Sequence, residues 1–444
     1  MLPTVGLRID QAPPLHLPFR FFGTGPLFLM LAGAVLLLQG EELLLAPLFP
    51  LTVATLHLIL LGWMFMVVCG AMIQMIPVLA GIPVPWPGLV PWVHGLLTLG
   101  VGLFFFGLSH DPVLPTLLWI ALGFLLVAGV AFVVPIGVAL VKAPAKHPTV
   151  HGMRLAMLAF VGTLLLGALF LGEHAGGFID FDRRILVAIH LLWGLIGTMG
   201  VLIIGVSFQV LPMFYMTPPF PVRSAPRILT GLALALGAVP VMLWISGVDH
   251  PWHALAAALP GIAALFWYAV EIRQMMRQRK RRLVDATLRL WLFGYACAVL
   301  ALLLLASWSG NDWVEGRYLF GILFVLGWVT PVMIGMLHKI IPFLVWFHRF
   351  SNLAGLVEIP MMDDLSPLRI VNGQVWVVVG SVVVLVAAVV TGSDLLVRVG
   401  GGGLMVIGAM SLYALWFALR IAPPKAPEIP DFASFFKDFK PPVS

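Results

Sequence analysis

The sequence is short of charge. Only 10% of its 444 residues are Asp, Glu, Lys or Arg, against about 25% in soluble domains. The 61% that is hydrophobic is more than a water-soluble fold can hide, which excludes a soluble enzyme. A disordered chain is excluded as well, because disorder needs low hydrophobicity and high net charge. Cysteine is nearly absent: Cys69 and Cys297 both lie in apolar runs, too few for a disulfide framework or a four-thiolate metal site. No Asp or Glu stands in the middle of an apolar run. That argues against a carboxylate-driven proton or cation transporter, and it leaves no set of nucleophile, base and orienting group. The net charge of +6 comes from basic residues in short loops, so nucleic acid is not an expected partner.

What the chain has in quantity is apolar runs long enough to cross a bilayer, about 20 residues each. Twelve are read near 24–45, 52–80, 89–108, 114–141, 153–173, 185–216, 227–247, 253–273, 286–307, 318–347, 370–391 and 397–422. The expected fold is an all-α polytopic membrane protein with the bilayer as its first partner. Residues 1–23 are expected as an N-terminal tail, since no signal-peptide pattern opens the chain. Residues 423–444 are expected as a Pro-rich tail at the interface, with Phe432, Phe435, Phe436 and Phe439 interleaved.

Orientation follows from Lys and Arg. With the N-terminus inside, the outer loops hold only Arg183, Arg184, Arg317 and Arg398, leaving 25 − 4 = 21 basic residues inside. Both tails are then cytoplasmic, as in a bacterial-type inner membrane. The run from Arg277 to Arg282 fixes topology and meets anionic headgroups.

One pattern recurs three times: Gly70 to Pro77 (GAMIQMIP), Gly205 to Pro212 (GVSFQVLP) and Gly335 to Pro342 (GMLHKIIP). The copies are almost evenly spaced, and each closes an unusually long span: the second, sixth and tenth. The chain therefore reads as three pseudo-repeated groups of four helices, near 24–141, 153–273 and 286–422. Gln74, Gln209 and Lys339 occupy equivalent places and are expected to line an inner vestibule. His57 precedes Gly70 by nearly the same interval as His190 precedes Gly205, so both are expected near the outer ends of their helices. The third copy has no such histidine. His338 lies far beyond Phe320 in the same span, roughly 27 Å along a helix, too far to replace it.

Ionisable side chains inside a membrane mark function, and imidazole suits haem iron, copper and zinc. A histidine on an apolar helix also has a plain structural reading, a hydrogen bond to its neighbours. His250 and His253, three apart in an outer loop, share one face and are candidates to complete a copper site with His190.

Twelve spans in three groups, with His57 on the second and His190 on the sixth, resemble subunit I of the haem–copper oxidases. Pro18-Phe19-Arg20-Phe21-Phe22 and the run from His57 through Gly62 and Gly70 to Pro77 are similar to NnrS-type haem and copper membrane proteins. The resemblance implies haem on His57, copper on His190 with His250 and His253, and a respiratory or nitric-oxide-related redox role beside other respiratory subunits or an electron donor. It departs from the oxidases at the tenth span, which lacks their histidine pair, and at Gly194, where they carry a Tyr. The alternative is a metal-free transporter or an assembly or scaffold subunit using the same fold, with Lys339 drawing in an anion.

Overall fold

The computed structural model describes residues 11–44, 46–144, 147–178, 180–307 and 314–424. The expected basic residues of the extreme N-terminus and the Phe-rich tail lie outside them. Twelve helices are long and apolar enough to cross a membrane. They are α1 (His16–Leu44), α2 (Pro50–Ala80), α3 (Pro87–Ser109), α4 (Pro115–Lys142), α5 (Pro148–His174), α6 (Arg183–Tyr215), α7 (Ser224–Ser246), α8 (Pro251–Arg277), α9 (Ala286–Leu305), α10 (Val314–Leu353), α11 (Leu368–Thr391) and α12 (Asp394–Arg420). This is an integral membrane protein with an all-helical fold.

The ends of these helices are written in the sequence. Proline opens α2, α3, α4, α5 and α8, where its missing N–H costs no helical hydrogen bond. Asp182 caps α6 by accepting from the Arg184 N–H, and Ser393 caps α12 by accepting from Leu396. Gly81 and Gly392, at φ 66° and 63°, close α2 and α11 in the left-handed conformation that glycine adopts freely. The first helix starts at His16, earlier than its hydropathy suggests, because Leu17, Phe19, Phe21 and Phe22 are all buried. That burial outweighs the single charge of Arg20 between them. Part of the expected N-terminal tail is therefore helix.

Sequence neighbours pack side by side, α1 on α2, α3 on α4, α4 on α5, α7 on α8 and α11 on α12, and α12 returns to pack on α1. That last contact is backbone to backbone, since a Cβ on Gly401 would lie 2.6 Å from the Gly33 carbonyl oxygen. Close approach of small residues is how helices associate where lipid removes the hydrophobic drive. The three recurring glycines do the same work. A Cβ at Gly70 would meet Phe22 and the Pro18 carbonyl of α1, one at Gly205 would lie 2.8 Å from Gly152 Cα of α5, and one at Gly335 would touch Thr287 of α9. Thr287 Oγ1 also donates to the Gly335 carbonyl at 2.9 Å.

The long helices α2, α6 and α10 share another feature. Each contains a π-helical stretch: Leu58–Phe65, Leu192–Gly200 and Ile322–Val329. Each stretch ends shortly before the recurring glycine. A wider turn changes which side chains face which neighbour, and such turns occur often at functional sites.

Buried hydroxyls tie α6, α8 and α9 together. Ser207 Oγ donates to the Ile204 carbonyl at 2.7 Å, accepts from Tyr268 at 2.8 Å, and Tyr268 accepts from Tyr295 at 2.7 Å. The carbonyl can only accept, so it fixes the direction of the chain. Tyr268→Phe leaves Ser207 and Tyr295 without their partner in a buried place. The expected cost is about 1–3 kcal/mol, read as a lower thermal midpoint of the detergent-purified protein.

Candidate functional site

His57 is the last residue of the α-helical start of α2, just before its π stretch, and His190 stands two residues before the π stretch of α6. The two rings face each other across the helices. Their centroids are 6.4 Å apart and their planes 26° apart. His57 Nδ1 lies 2.8 Å from the Val53 carbonyl oxygen. A carbonyl only accepts, so Nδ1 carries the proton and Nε2 keeps a free lone pair. His190 Nδ1 is buried and makes no hydrogen bond of ordinary geometry.

Aromatic rings wall the pair. Phe104 of α3 is 4.9 Å from His57, and Phe170 of α5 meets His190 edge-on at 5.6 Å. Gly167 makes room for the second ring, since a Cβ there would lie 3.3 Å from His190 Cε1. Toward the end of the bundle the walls turn polar. His174 accepts from Arg183 at 3.4 Å, Arg183 pairs with Glu173 at 3.4 Å, and Arg184 bridges Asp182 and Asp249, each at 3.2 Å.

Separate cofactors for His57 and His190, as the oxidase resemblance implies, do not match this geometry: the two histidines form one site. Nor is the copper set of His190, His250 and His253 gathered. The rings of His250 and His253 lie 5.6 Å apart, but among the described residues no three His, Cys, Asp or Glu side chains converge as metal ligands. Asp249, beside that pair, is drawn instead to Arg184.

The pair does fit one ion gripped from two sides. Metal–imidazole bonds of about 2.0–2.1 Å put the centroids of two opposed imidazoles roughly 6–6.5 Å apart, and the observed spacing is 6.4 Å. The free Nε2 of His57 and the orphaned Nδ1 of His190 supply the chemistry that such an ion needs. Zinc is a poor match, because it asks for three or four protein ligands. Haem iron needs only two, and copper(I) accepts two.

The other end of the bundle holds the expected vestibule residues, and here the structure changes their meaning. Lys339 is no lone charge: its Nζ pairs with Asp285 at 2.7 Å. Asp285 also accepts from the Leu288 N–H at 3.0 Å and from the Tyr215 hydroxyl at 3.3 Å. Burial opposes ionisation of this carboxyl, but Lys339 and the Leu288 N–H overcome it and hold it below the usual carboxylate range. In the sequence Asp285 reads as a loop residue, sitting after four basic neighbours and just before α9. Gln74 is buried with its Oε1 unpartnered, and Gln209 is half-buried. Among the described residues neither hydrogen-bonds Lys339.

His338 faces no headgroups. Its Nε2 lies 2.8 Å from Gln374 Oε1, and the amide of Gln374 donates to the Ile407 carbonyl and to Ser411. That network joins α10, α11 and α12 and gives His338 a structural role.

Compared with known protein families and with characterised proteins, the chain matches none.

Proposed function

We propose that this chain is a divergent haem–copper-oxidase-like membrane protein, akin to NnrS-type proteins, that holds haem iron or copper between His57 and His190 in a respiratory or nitric-oxide-related role. The observation that carries the reading is the ring pair itself, two imidazoles 6.4 Å apart on α2 and α6. The architecture adds support for three groups of four helices. The π stretches recur in α2, α6 and α10, and each recurring glycine touches the helix that precedes its own. The orientation stays as the basic residues suggest, with the Lys339 face cytoplasmic in a bacterial-type inner membrane and His57 near the outer side.

His57 and His190 would be the protein's two ligands. Val53 orients the first ring through Nδ1; Phe104 and Phe170 keep water away. A bound haem iron or copper supplies one-electron chemistry. With both histidines on one haem iron no coordination position faces a substrate, so the pair suits electron carriage better than oxygen or nitric-oxide turnover. The metal-free alternative has lost its main support, because Lys339 is neutralised by Asp285.

The test is a visible spectrum of detergent-purified protein, oxidised and dithionite-reduced, with iron and copper analysis of the same sample. One iron with reduced haem bands, or one copper without them, supports the reading. Carbon monoxide should leave the bands of a doubly ligated haem unchanged. Protein free of both metals, and unable to take up either, would sink the proposal.

A further inference from the structure

The antiparallel packing of α7 and α8 has a fixed register. A Cβ at Gly231 would meet the Pro260 carbonyl and Ala264, and one at Gly261 would meet Ala235. Continued to the end of the pair, this register sets Arg227 over the ring of Trp267 at 5.5 Å and Ser224 beside Glu271 at 2.6 Å. Arg223 and Arg227 at the start of α7 therefore share one end of the bundle with Arg273 and Arg277 at the end of α8. The chain then runs through Arg279, Lys280, Arg281 and Arg282 before α9 begins.

This basic segment is a fixed strap. Lys280 N–H donates to the Met216 carbonyl and Arg281 N–H to the Tyr215 carbonyl, both at 3.3 Å. Met216 takes a left-handed turn at φ 52° to end α6. At its far end the strap is held by the Asp285–Lys339 pair.

The two carboxylates within reach are both turned inward. Glu271 accepts from Ser224 at 2.6 Å and from the Trp267 indole at 3.0 Å, and Asp285 is engaged with Lys339. Arg223, Arg227, Arg273, Arg277, Lys280 and Arg282 are exposed. Exposed aliphatic side chains flank them: Val222 at 80%, Leu283 at 61% and Val284 at 49%. Cations with aliphatic neighbours, at the end of a membrane helix, match the boundary between phosphate and acyl chain.

We propose that this strap is a binding site for an anionic phospholipid headgroup, and that it prefers a lipid with two phosphates. A topology signal needs only the count of charges in the loop. What goes beyond that count is the fixed backbone of the strap, the withdrawal of both nearby carboxylates, and the convergence of cations from α7, α8 and the strap on one place. Six exposed cations exceed what one phosphate can neutralise. Each contributes about 1 kcal/mol near an anionic surface.

The experiment uses the full chain, delipidated in detergent and titrated with diphosphatidylglycerol, phosphatidylglycerol or phosphatidylcholine. Native mass spectrometry counts the retained lipid. Diphosphatidylglycerol is expected to bind at least about tenfold more tightly than phosphatidylcholine. R277Q/R279Q/K280Q/R282Q is expected to abolish that preference, whereas R183Q/R184Q at the opposite face leaves it unchanged. R277K/R279K/R282K keeps the charge count and should bind with a several-fold loss, because lysine cannot grip a phosphate with two N–H groups at once. If the glutamine variant does not accumulate, the native chain decides by its salt dependence, and tight binding should weaken between about 0.05 and 0.5 M salt. Equal retention of the three lipids, salt-independent binding, or inorganic pyrophosphate binding as tightly as the lipid would each overturn the proposal.

Discussion

Lys339→Met is expected to destabilise the protein by about 3 kcal/mol. Removing one partner of a buried ion pair leaves the other charge uncompensated, at a cost of about 3–5 kcal/mol. The lower figure applies because the Lys339 and Asp285 side chains keep 17% and 16% of their surface exposed. Asp285→Asn is expected to cost less, since an amide can still accept from Leu288 N–H and Tyr215. The double variant should recover part of the loss, because no unpaired charge remains. Thermal or denaturant unfolding in detergent reads all three, and additive losses would show that the pair is not coupled.

The same pair predicts a pH dependence. The Asp285 carboxyl is held below its ordinary range in the folded protein, against burial, by Lys339 and the Leu288 N–H. A group depressed in this way stabilises the fold fully above its unfolded pKa. That stability is lost as pH falls through the folded pKa. The native chain should therefore lose stability on acidification more steeply than Asp285→Asn, and parallel acid limbs would count against the assignment.

The second large effect belongs to the histidine pair. His57→Ala and His190→Ala should each empty the site, lowering bound iron or copper from near one per chain toward zero. The loss should exceed the roughly 10–100-fold that removal of a mere supporting residue causes. Neither change should unfold the protein. Neither nitrogen that would face the ion holds the fold together, and His190 Nδ1 has no hydrogen bond to lose. His250→Ala and His253→Ala should leave metal content as it is, because these two rings form a separate pair. Metal analysis beside a melting curve separates loss of a ligand from loss of fold. A His190→Ala chain that keeps its full metal complement would remove the site.

A third variant probes the helix packing around that pair. Gly205→Val would drive its side chain into the Gly152 backbone, where even a Cβ would lie 2.8 Å from Cα. α5 and α6 would have to separate, carrying Phe170 and His190 with them. Failure to accumulate as a monodisperse protein is the expected outcome.

The sequence by itself determined the membrane, the number of spans and most helix ends. Those properties are local: an apolar run of sufficient length, a proline at the first turn, a glycine past the last. It also pointed to His57 and His190 and to the special helices that carry them, because the recurring glycine and proline pattern is read along one strand of sequence. Only the tertiary structure decided what these residues meet. The π stretches turn α2 and α6 by an amount that counting residues along an ideal α-helix cannot register, and two histidines assigned to separate cofactors stand 6.4 Å apart. The structure also found the partner of Lys339 in Asp285, at the start of the preceding span, and set His250 and His253 apart in a pair of their own. Pairings between distant parts of the chain are fixed by how helices pack, and packing is settled by shape, glycine by glycine, along every contact at once.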